Sequence, residues 1–514
     1  MSRLHALTMS RRAFLLATGA GIVATQLPQS AFAQASAGVL RYGLSAFPPS
    51  LSPWLSSGAA AATVKTLIMR GLLGYDANGQ LIGELAESWR SVDPTTYEFR
   101  LRSNAVFSDG RKVRPEDVIW SFEQTRVPQS TAYLKSTVEQ FESMEAVDGG
   151  IVRLKLKSPN ASLPFTLASP NAPILAEGST EDAPVACGPF QISQQERGVF
   201  IEVERNPNYY KAGQPKVEKI RLTAYADENL RMAALESGDV DIIEYVPWPA
   251  YSKFDGNDRM KLTGTLGPFH VVLFNTTRAP FNNPKVRQAI GYAVKREDIV
   301  AAAFAGQGKA LVGFPTPPGS AFETSAPENS WTYDPDKAKA LLTEAGYPNG
   351  FNCTLLSTST YGMLQDTAVV VAAYLQAIGI NAELKLPEWA SRISAGNNGE
   401  YDIAIHGTVG EYNDPDSLYP LLHSSVTSFQ NSFGFASERI DALLDQGRGE
   451  LDQAKRAEIY KQLAQAYFEE VPQAPLVWRV QSFGMGSNVD GFQSLPGFLG
   501  VQTSAVLLDQ TRFV

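Results

Sequence analysis

The sequence predicts a mixed α/β protein with two separately cored regions, and three observations lead there. Its 514 residues exceed what a single core of roughly 100–200 residues organises. Up to about residue 270, strand signals dominate and helices are scattered. From about 277 onward, helix and strand signals alternate more regularly, as in parallel βαβ units. No internal repeat, low-complexity tract or long flexible linker interrupts either region.

In the first region, Thr96-Tyr97-Glu98-Phe99-Arg100-Leu101-Arg102 alternates polar and apolar residues, with Tyr97, Phe99 and Leu101 on one face. The segment 151–157 repeats this through Val152, Leu154 and Leu156. Between them, 115–122 reads as a helix. Pro115 suits its first turn, Glu116 and Asp117 favour its positive end, and Val118, Ile119 and Phe122 share a face. Asp227 caps a further helix with Leu230, Ala233 and Ala234 inward, Gly238 stops it, and 240–243 reads as a short strand.

In the second region, Asn283-Pro284 starts a helix carrying Val286, Ile290, Ala293 and Val294 on one side. Asp334-Pro335 starts another, with Ala338, Leu341, Leu342 and Ala345 inward and Gly346 at its end. A strand at 353–357, a helix at 365–378 and a strand at 380–385 form a βαβ unit with Gly379 at the turn. A short strand at 402–406 and helices near 437–447 and 452–470 complete the region.

Composition narrows the function classes. A 44% hydrophobic fraction supplies ample core, and the body of the chain offers no apolar run of about 18 residues to span a bilayer. With 53 acidic against 44 basic residues, the chain lacks the basic footprint that nucleic-acid binding requires.

The first 33 residues differ in character. Ser10-Arg11-Arg12-Ala13-Phe14-Leu15-Leu16 sets paired arginines before a mild apolar run at 13–27, and Ala31-Phe32-Ala33 follows as a small-x-small cleavage site. Thr18, Gly19 and Gly21 break the run, so a cleaved export signal at 1–33 fits better than an anchor. The arginine pair before Phe-Leu resembles a twin-arginine signal, which implies export of a folded protein. No cysteine lies near the cleavage site, so the expected mature chain is periplasmic, without lipid anchor or membrane insertion. Cleavage removes Arg3, Arg11 and Arg12 and no acid, leaving 41 basic against 53 acidic residues, a net charge of -12. In an oxidising compartment Cys187 and Cys353 could form one bridge, and their separation leaves pairing open.

The common catalytic signatures are missing from the sequence. It contains no His-Glu-x-x-His, Cys-x-x-Cys, Gly-x-Ser-x-Gly, phosphate-binding Gly-x4-Gly-Lys-Ser/Thr or Gly-x-Gly-x-x-Gly motif. The histidines beyond the signal, His270, His406 and His423, are too dispersed for a local metal site. Neither a cofactor nor a metal is expected, and the balance moves from enzyme to binder.

An ordered set of motifs resembles the family-5 extracellular solute-binding proteins. It begins with Arg70-Gly71-Leu72-Leu73-Gly74-Tyr75-Asp76, Leu85-Ala86-Glu87-Ser88-Trp89 and Phe107-Ser108-Asp109-Gly110. Gly188-Pro189-Phe190, Arg205-Asn206-Pro207-Asn208-Tyr209-Tyr210 and Ala234-Leu235-Glu236-Ser237-Gly238-Asp239-Val240-Asp241 follow. Val286-Arg287-Gln288-Ala289-Ile290, Tyr333-Asp334-Pro335 and Ala345-Gly346-Tyr347-Pro348 extend it through the second region.

The resemblance implies a large bilobal periplasmic-binding-protein fold with an extra domain in the first lobe and a two-segment hinge. On this sequence the first lobe would span 34–270 with the extra subdomain at about 60–185, and the second 271–484. Residues 485–514 would return to the first lobe, and the crossings would fall near 271–275 and 480–485. The implied protein is a monomeric, non-catalytic component of an ABC importer, closing on a small solute and presenting it to a cognate permease.

Within this resemblance, 401–415 matches the segment whose acid grips the free amino group in peptide binders. Glu411 stands where the family has aspartate, Thr408 where tryptophan commonly follows the glycine, and Tyr412 and Asn413 lie beside them. Asp414-Pro415 reads as the start of a turn or helix. Ser45, Ala46 and Phe47 are expected to face the cleft from the first lobe, and Tyr361, Trp389 and Arg392 from the second. A di- or oligopeptide or another amine-bearing compound is the expected ligand. Nickel complexes, opines, haem and sugars are alternatives on the same fold, and a secreted hydrolase or chaperone-like protein is the alternative from another class.

Overall fold

The computed structural model describes residues 38–514 except 56–57, 181–183, 317–319, 321, 324–329, 409 and 411. The export signal read at 1–33 therefore lies outside the described residues, and so does Glu411.

Strand β1 (Val39–Leu44) and helix α1 (Gly58–Ile68) precede a hairpin of β2 (Leu73–Tyr75) and β3 (Leu81–Gly83). Strands β4 (Ala86–Asp93), β5 (Thr96–Leu101), β6 (Phe141–Val147) and β7 (Ile151–Leu156) form an antiparallel sheet in the order β4-β5-β7-β6. Helices α2 (Pro115–Arg126) and α3 (Lys135–Val138) lie between β5 and β6, and α4 (Leu163–Leu167) follows β7. Tyr97, Phe99, Leu101, Val152, Leu154 and Leu156 are all buried, as the alternation predicts. Glu98 is buried too, because Arg90 at 2.7 Å and Arg153 at 2.8 Å neutralise it.

Strands β8 (Phe190–Glu196), β9 (Phe200–Arg205) and β10 (Lys219–Ala224) lead into α5 (Glu228–Ser237) and β11 (Ile242–Glu244). Asp227 caps α5 by accepting from the Asn229 and Leu230 amides at 2.8 and 2.9 Å, and Gly238 ends it at φ +80°. Its buried face differs from the expected one. Leu230 and Ala233 are exposed, whereas Arg231, Met232, Ala234 and Leu235 are buried. The Arg231 guanidinium draws the helix round by donating to the carbonyls of Tyr225, Glu244 and Tyr245 at 2.7–3.0 Å.

The long β12 (Met260–Phe274) is followed by α6 (Pro284–Ala293), α7 (Arg296–Phe304), β13 (Gly308–Ala310) and α8 (Pro335–Glu344). Next come β14 (Phe351–Leu356), α9 (Gly362–Ala377), β15 (Ile380–Lys385), α10 (Trp389–Asn397) and β16 (Ile403–Thr408). Helices α11 (Tyr419–Leu422), α12 (Glu438–Gly449) and α13 (Gln453–Glu470) precede β17 (Gln473–Gly486). Asn283, Asp334, Ser437 and Asp452 each cap their helix through the side chain, satisfying backbone amides that have no partner within the helix.

One mixed sheet, ordered β15-β14-β16-β12-β17-β11-β1-β10-β9-β8 with β13 on β17, runs through two lobes. One large core gathers residues from Leu40 to Leu222, with Phe483 and Met485 returning to it. A second begins at Phe269 and extends to Trp478, with Phe498 added. The antiparallel pair β12 and β17 passes between them, and its register breaks between Leu266 and Phe269. Cys187 and Cys353 lie in these separate cores as free, buried thiols. Among the described residues no helix is long and apolar enough to cross a membrane.

Candidate ligand-binding cleft

Strand directions locate the cleft. The pairing runs from Ile242 opposite Met485 to Glu244 opposite Phe483, so β11 points toward the lobe crossing, and β1 runs parallel to it. From the other side, β16 runs from Ile403 opposite Phe274 to Thr408 opposite Phe269, and β14 and β15 share its direction. The carboxyl ends of both sets therefore converge on the crossing at Leu266–Phe269 and Trp478–Val480. Carboxyl ends of parallel strands are where open α/β sheets bind ligands, because the connecting loops diverge there.

Ser45 follows β1, and its amide and hydroxyl donate to Glu244 Oε1 at 2.8 and 2.6 Å. The buried Glu244 also accepts from Tyr42 and Thr63 at 3.3 Å, which fixes this rim. Ala46 is exposed and Phe47 half-buried against the first core. Across the cleft, Tyr361 precedes α9 and Trp389 begins α10. Their rings meet edge-on at 5.0 Å, with the residues 44% and 37% exposed. Thr408 is the last residue of β16 and half-buried.

Arg392 is fully buried. One Nη donates to the Ile405 carbonyl at 2.7 Å, and the guanidinium lies 4.9 Å from the Trp389 ring and 4.6 Å from Phe429. Its Nε and other Nη have no hydrogen-bond partner among the described residues, and burial pushes its pKa down to about 10.

Tyr412 and Asn413 make structural bonds. The Tyr412 hydroxyl donates to Asp416 at 3.0 Å. Asn413 reaches out of the second lobe: its Nδ2 donates to the Gly79 and Pro496 carbonyls at 3.0 Å, and its Oδ1 accepts from the Phe498 amide at 2.8 Å. Its own amide donates to the Tyr75 hydroxyl at 3.2 Å. Nearby, Ser162 donates to Asp416 at 2.7 Å, and Arg448 pairs with the same carboxylate at 3.0 Å. Asp414, as expected, starts a helical turn, and it holds Arg456 through two bonds of 2.5 and 2.6 Å.

Sequence reasoning expected crossings near 271–275 and 480–485 but named no site residue on them. Arg479 sits in β17 within the register break, opposite Gly308 of β13. Both Nη atoms donate to the Gln481 side-chain oxygen at 3.1 Å, while Nε is buried without a partner. Burial pushes its pKa down to about 10, and the residue as a whole is half-buried. Tyr245, just beyond β11, holds a left-handed backbone at φ +53°, which for a non-glycine residue stores strain. Its hydroxyl accepts from Gln502, and burial raises its pKa to about 12. Deep groups that keep solvent contact are the expected lining of a cleft. The available signal was a lone arginine between Trp478 and Val480, the one charged residue of Gln473–Gly486.

Two histidines flank the crossing. His270 Nδ1 meets Thr367 Oγ1 at 3.2 Å, while its Nε2 and the Nδ1 of His406 have no partner among the described residues. Burial, reinforced by the positive charge of Arg479, holds His270 well below the ordinary histidine range, and burial beside Arg392 lowers His406 to about 3. Both are neutral at pH 7 and supply no negative charge to the arginines. Among the described residues no group of three or more His, Cys, Asp or Glu side chains is placed to hold a metal.

The family model for bacterial extracellular solute-binding proteins, family 5 middle, matches residues 80–430. The glutathione-binding protein GsiB of Escherichia coli K12 is 28% identical over 464 residues, covering 87% of this chain and 90% of that protein. The periplasmic binding protein AgaA from A. tumefaciens R10, solved with agropinic acid, is 36% identical with a TM-score of 0.81, over 93% of this chain and 99% of AgaA. NikA from Brucella suis, solved with Fe(III)-EDTA, shares the fold at a TM-score of 0.80 and 24% identity, over 93% of this chain and all of NikA. The family model covers more than half of the chain, and the chain belongs to the family-5 extracellular solute-binding proteins.

Proposed function

We propose that this protein is the periplasmic solute-binding component of an ABC importer and captures a small, carboxylate-bearing, amino-acid-derived solute by lobe closure. The observation that carries this reading is Arg479. It is a buried guanidinium on a half-buried residue, at the meeting point of both sets of strand ends, and it is paired with no carboxylate among the described residues. An unpaired buried charge is unfavourable, and a solute carboxylate supplies the missing partner. Similarity to a glutathione-binding protein and to AgaA, solved with agropinic acid, supports an acid of this kind over a sugar or haem.

Glu411, three positions beyond β16 in the sequence, is the acid proposed to meet an ammonium group of the same solute. Tyr361, Trp389 and Phe47 would cover its apolar part, while Ser45, Tyr412 and Asn413 shape the rims. The protein would act as a monomer, leave the solute chemically unchanged and reach the periplasm through its twin-arginine signal.

Calorimetry with agropinic acid, glutathione and dipeptides tests the reading. Arg479→Gln is expected to weaken binding of an acid by about 30-fold or more, the value of a buried charge-assisted contact. Equal affinity of wild type and variant for every probe, or recovery of a chemically altered probe, would refute it.

A further inference from the structure

We propose that the solute carries a second acidic group, taken by the second lobe at Arg392 beneath the Tyr361–Trp389 pair. This rests on the reading of the crossing as the ligand cleft and extends it to a substrate class, amino-acid-derived diacids.

Other buried arginines of the second lobe show how the fold satisfies a structural guanidinium. Arg287 donates to the carbonyls of Phe281, Glu470 and Val471. Arg296 donates to those of Gly291, Val294, Leu311, Trp331 and Pro475. Arg456 has Asp414 and the Gly447 carbonyl. Arg392 alone among these four has a single bond and two empty donors.

Among the described residues its surroundings supply no counter-charge. Trp389 and Phe429 provide ring faces, and His406 is neutral. Glu388, the acid nearest in sequence, accepts from the Ala390 and Ser391 amides at 2.8 and 2.7 Å to cap α10. A core arginine needs neither a half-exposed aromatic cover nor two vacant donors. A carboxylate subsite uses both: the rings exclude water, and the unpartnered Nε–H and Nη–H groups donate to carboxylate oxygens from separate edges of the guanidinium. The subsite stands at the carboxyl edge of β14, β15 and β16, which faces the crossing that holds Arg479. Access requires Trp389 to swing from the guanidinium.

The test compares diacid and monoacid partners of nearly equal shape: glutathione with its glycine ethyl ester, and Ala-Glu with Ala-Gln. Wild-type protein should bind a diacid about 10- to 100-fold more tightly than its partner. Arg392→Gln should erase that preference and leave the monoacid unchanged. In wild-type protein the diacid alone should shift Trp389 emission, assigned as the part lost in Trp389→Phe, so the inference does not depend on the Arg392 variant folding. A preference surviving Arg392→Gln, or no preference in wild type, overturns the second subsite and leaves the cleft reading intact. Failure of all four probes to bind, or binding indifferent to Arg479→Gln, overturns the cleft reading itself.

Discussion

Replacing Asn413 by alanine should open the protein without unfolding it. The Asn413 side chain joins the loop after β16 to Gly79, Pro496 and Phe498 through three hydrogen bonds. It fits there because two glycines leave room: a Cβ on Gly497, at φ +101°, would lie 2.0 Å from Asn413 Oδ1, and one on Gly79, at φ +71°, 2.8 Å from Nδ2. Each bond contributes about 1 kcal/mol net, so the joined arrangement should lose about 3 kcal/mol. The lobe cores, which Asn413 does not enter, keep their packing. The loss therefore falls on the equilibrium between joined and parted lobes, and solute affinity drops by up to roughly 150-fold through the smaller competent population. Small-angle scattering should show a larger radius of gyration for unliganded Asn413→Ala, and calorimetry the weaker binding. Gly497→Ala, which fills the slot from the opposite side, should behave alike. An unchanged radius together with unchanged affinity would refute the reasoning.

Three further outcomes follow from the same physics. Arg392→Met should leave the unliganded protein as stable as wild type or up to about 2 kcal/mol more stable, because two vacant buried donors disappear and the ring contacts keep an apolar partner; a large fall in Tm would contradict this. Acidification should destabilise the protein before carboxylates titrate. Burial keeps the folded pKa values of His270 and His406 below the ordinary value near 6.5, so the unfolded chain takes up protons the folded one refuses. Their contribution is complete above about pH 6.5 and is lost below it, by about 1.4 kcal/mol per pH unit for each histidine. Urea midpoints at pH 7.5 and 5.5 would measure it, and His406→Gln should flatten the slope. Finally, Cys187 and Cys353, whose thiols burial pushes up to about 12, should resist alkylation in the native state and both react once the chain is denatured.

Local patterns carried much of the fold. Alternation at 96–101 and 151–156 placed the apolar faces correctly because a strand's period of two needs no partner to define it. The caps at Asp227, Asn283 and Asp334 were legible because a side-chain oxygen meets amides two or three residues away. The inward face of α5 was misread because Arg231 is anchored by the carbonyls of Glu244 and Tyr245, which only the turn into β11 brings within reach.

The site divides along the same line. The sequence by itself determined that a two-core α/β chain carries the family motifs, and it pointed to Tyr361, Trp389 and Arg392 on loops and helices beside strand ends. Whether a basic side chain is solvated, structurally satisfied or left wanting a partner depends on which distant carbonyls and carboxylates fold against it. Arg296 and Arg392 look alike in the sequence, yet five carbonyls surround one and a single carbonyl the other. Arg479 reached the crossing only when β12 and β17, whose paired residues lie 200 or more positions apart, met between the two cores and broke register beside it.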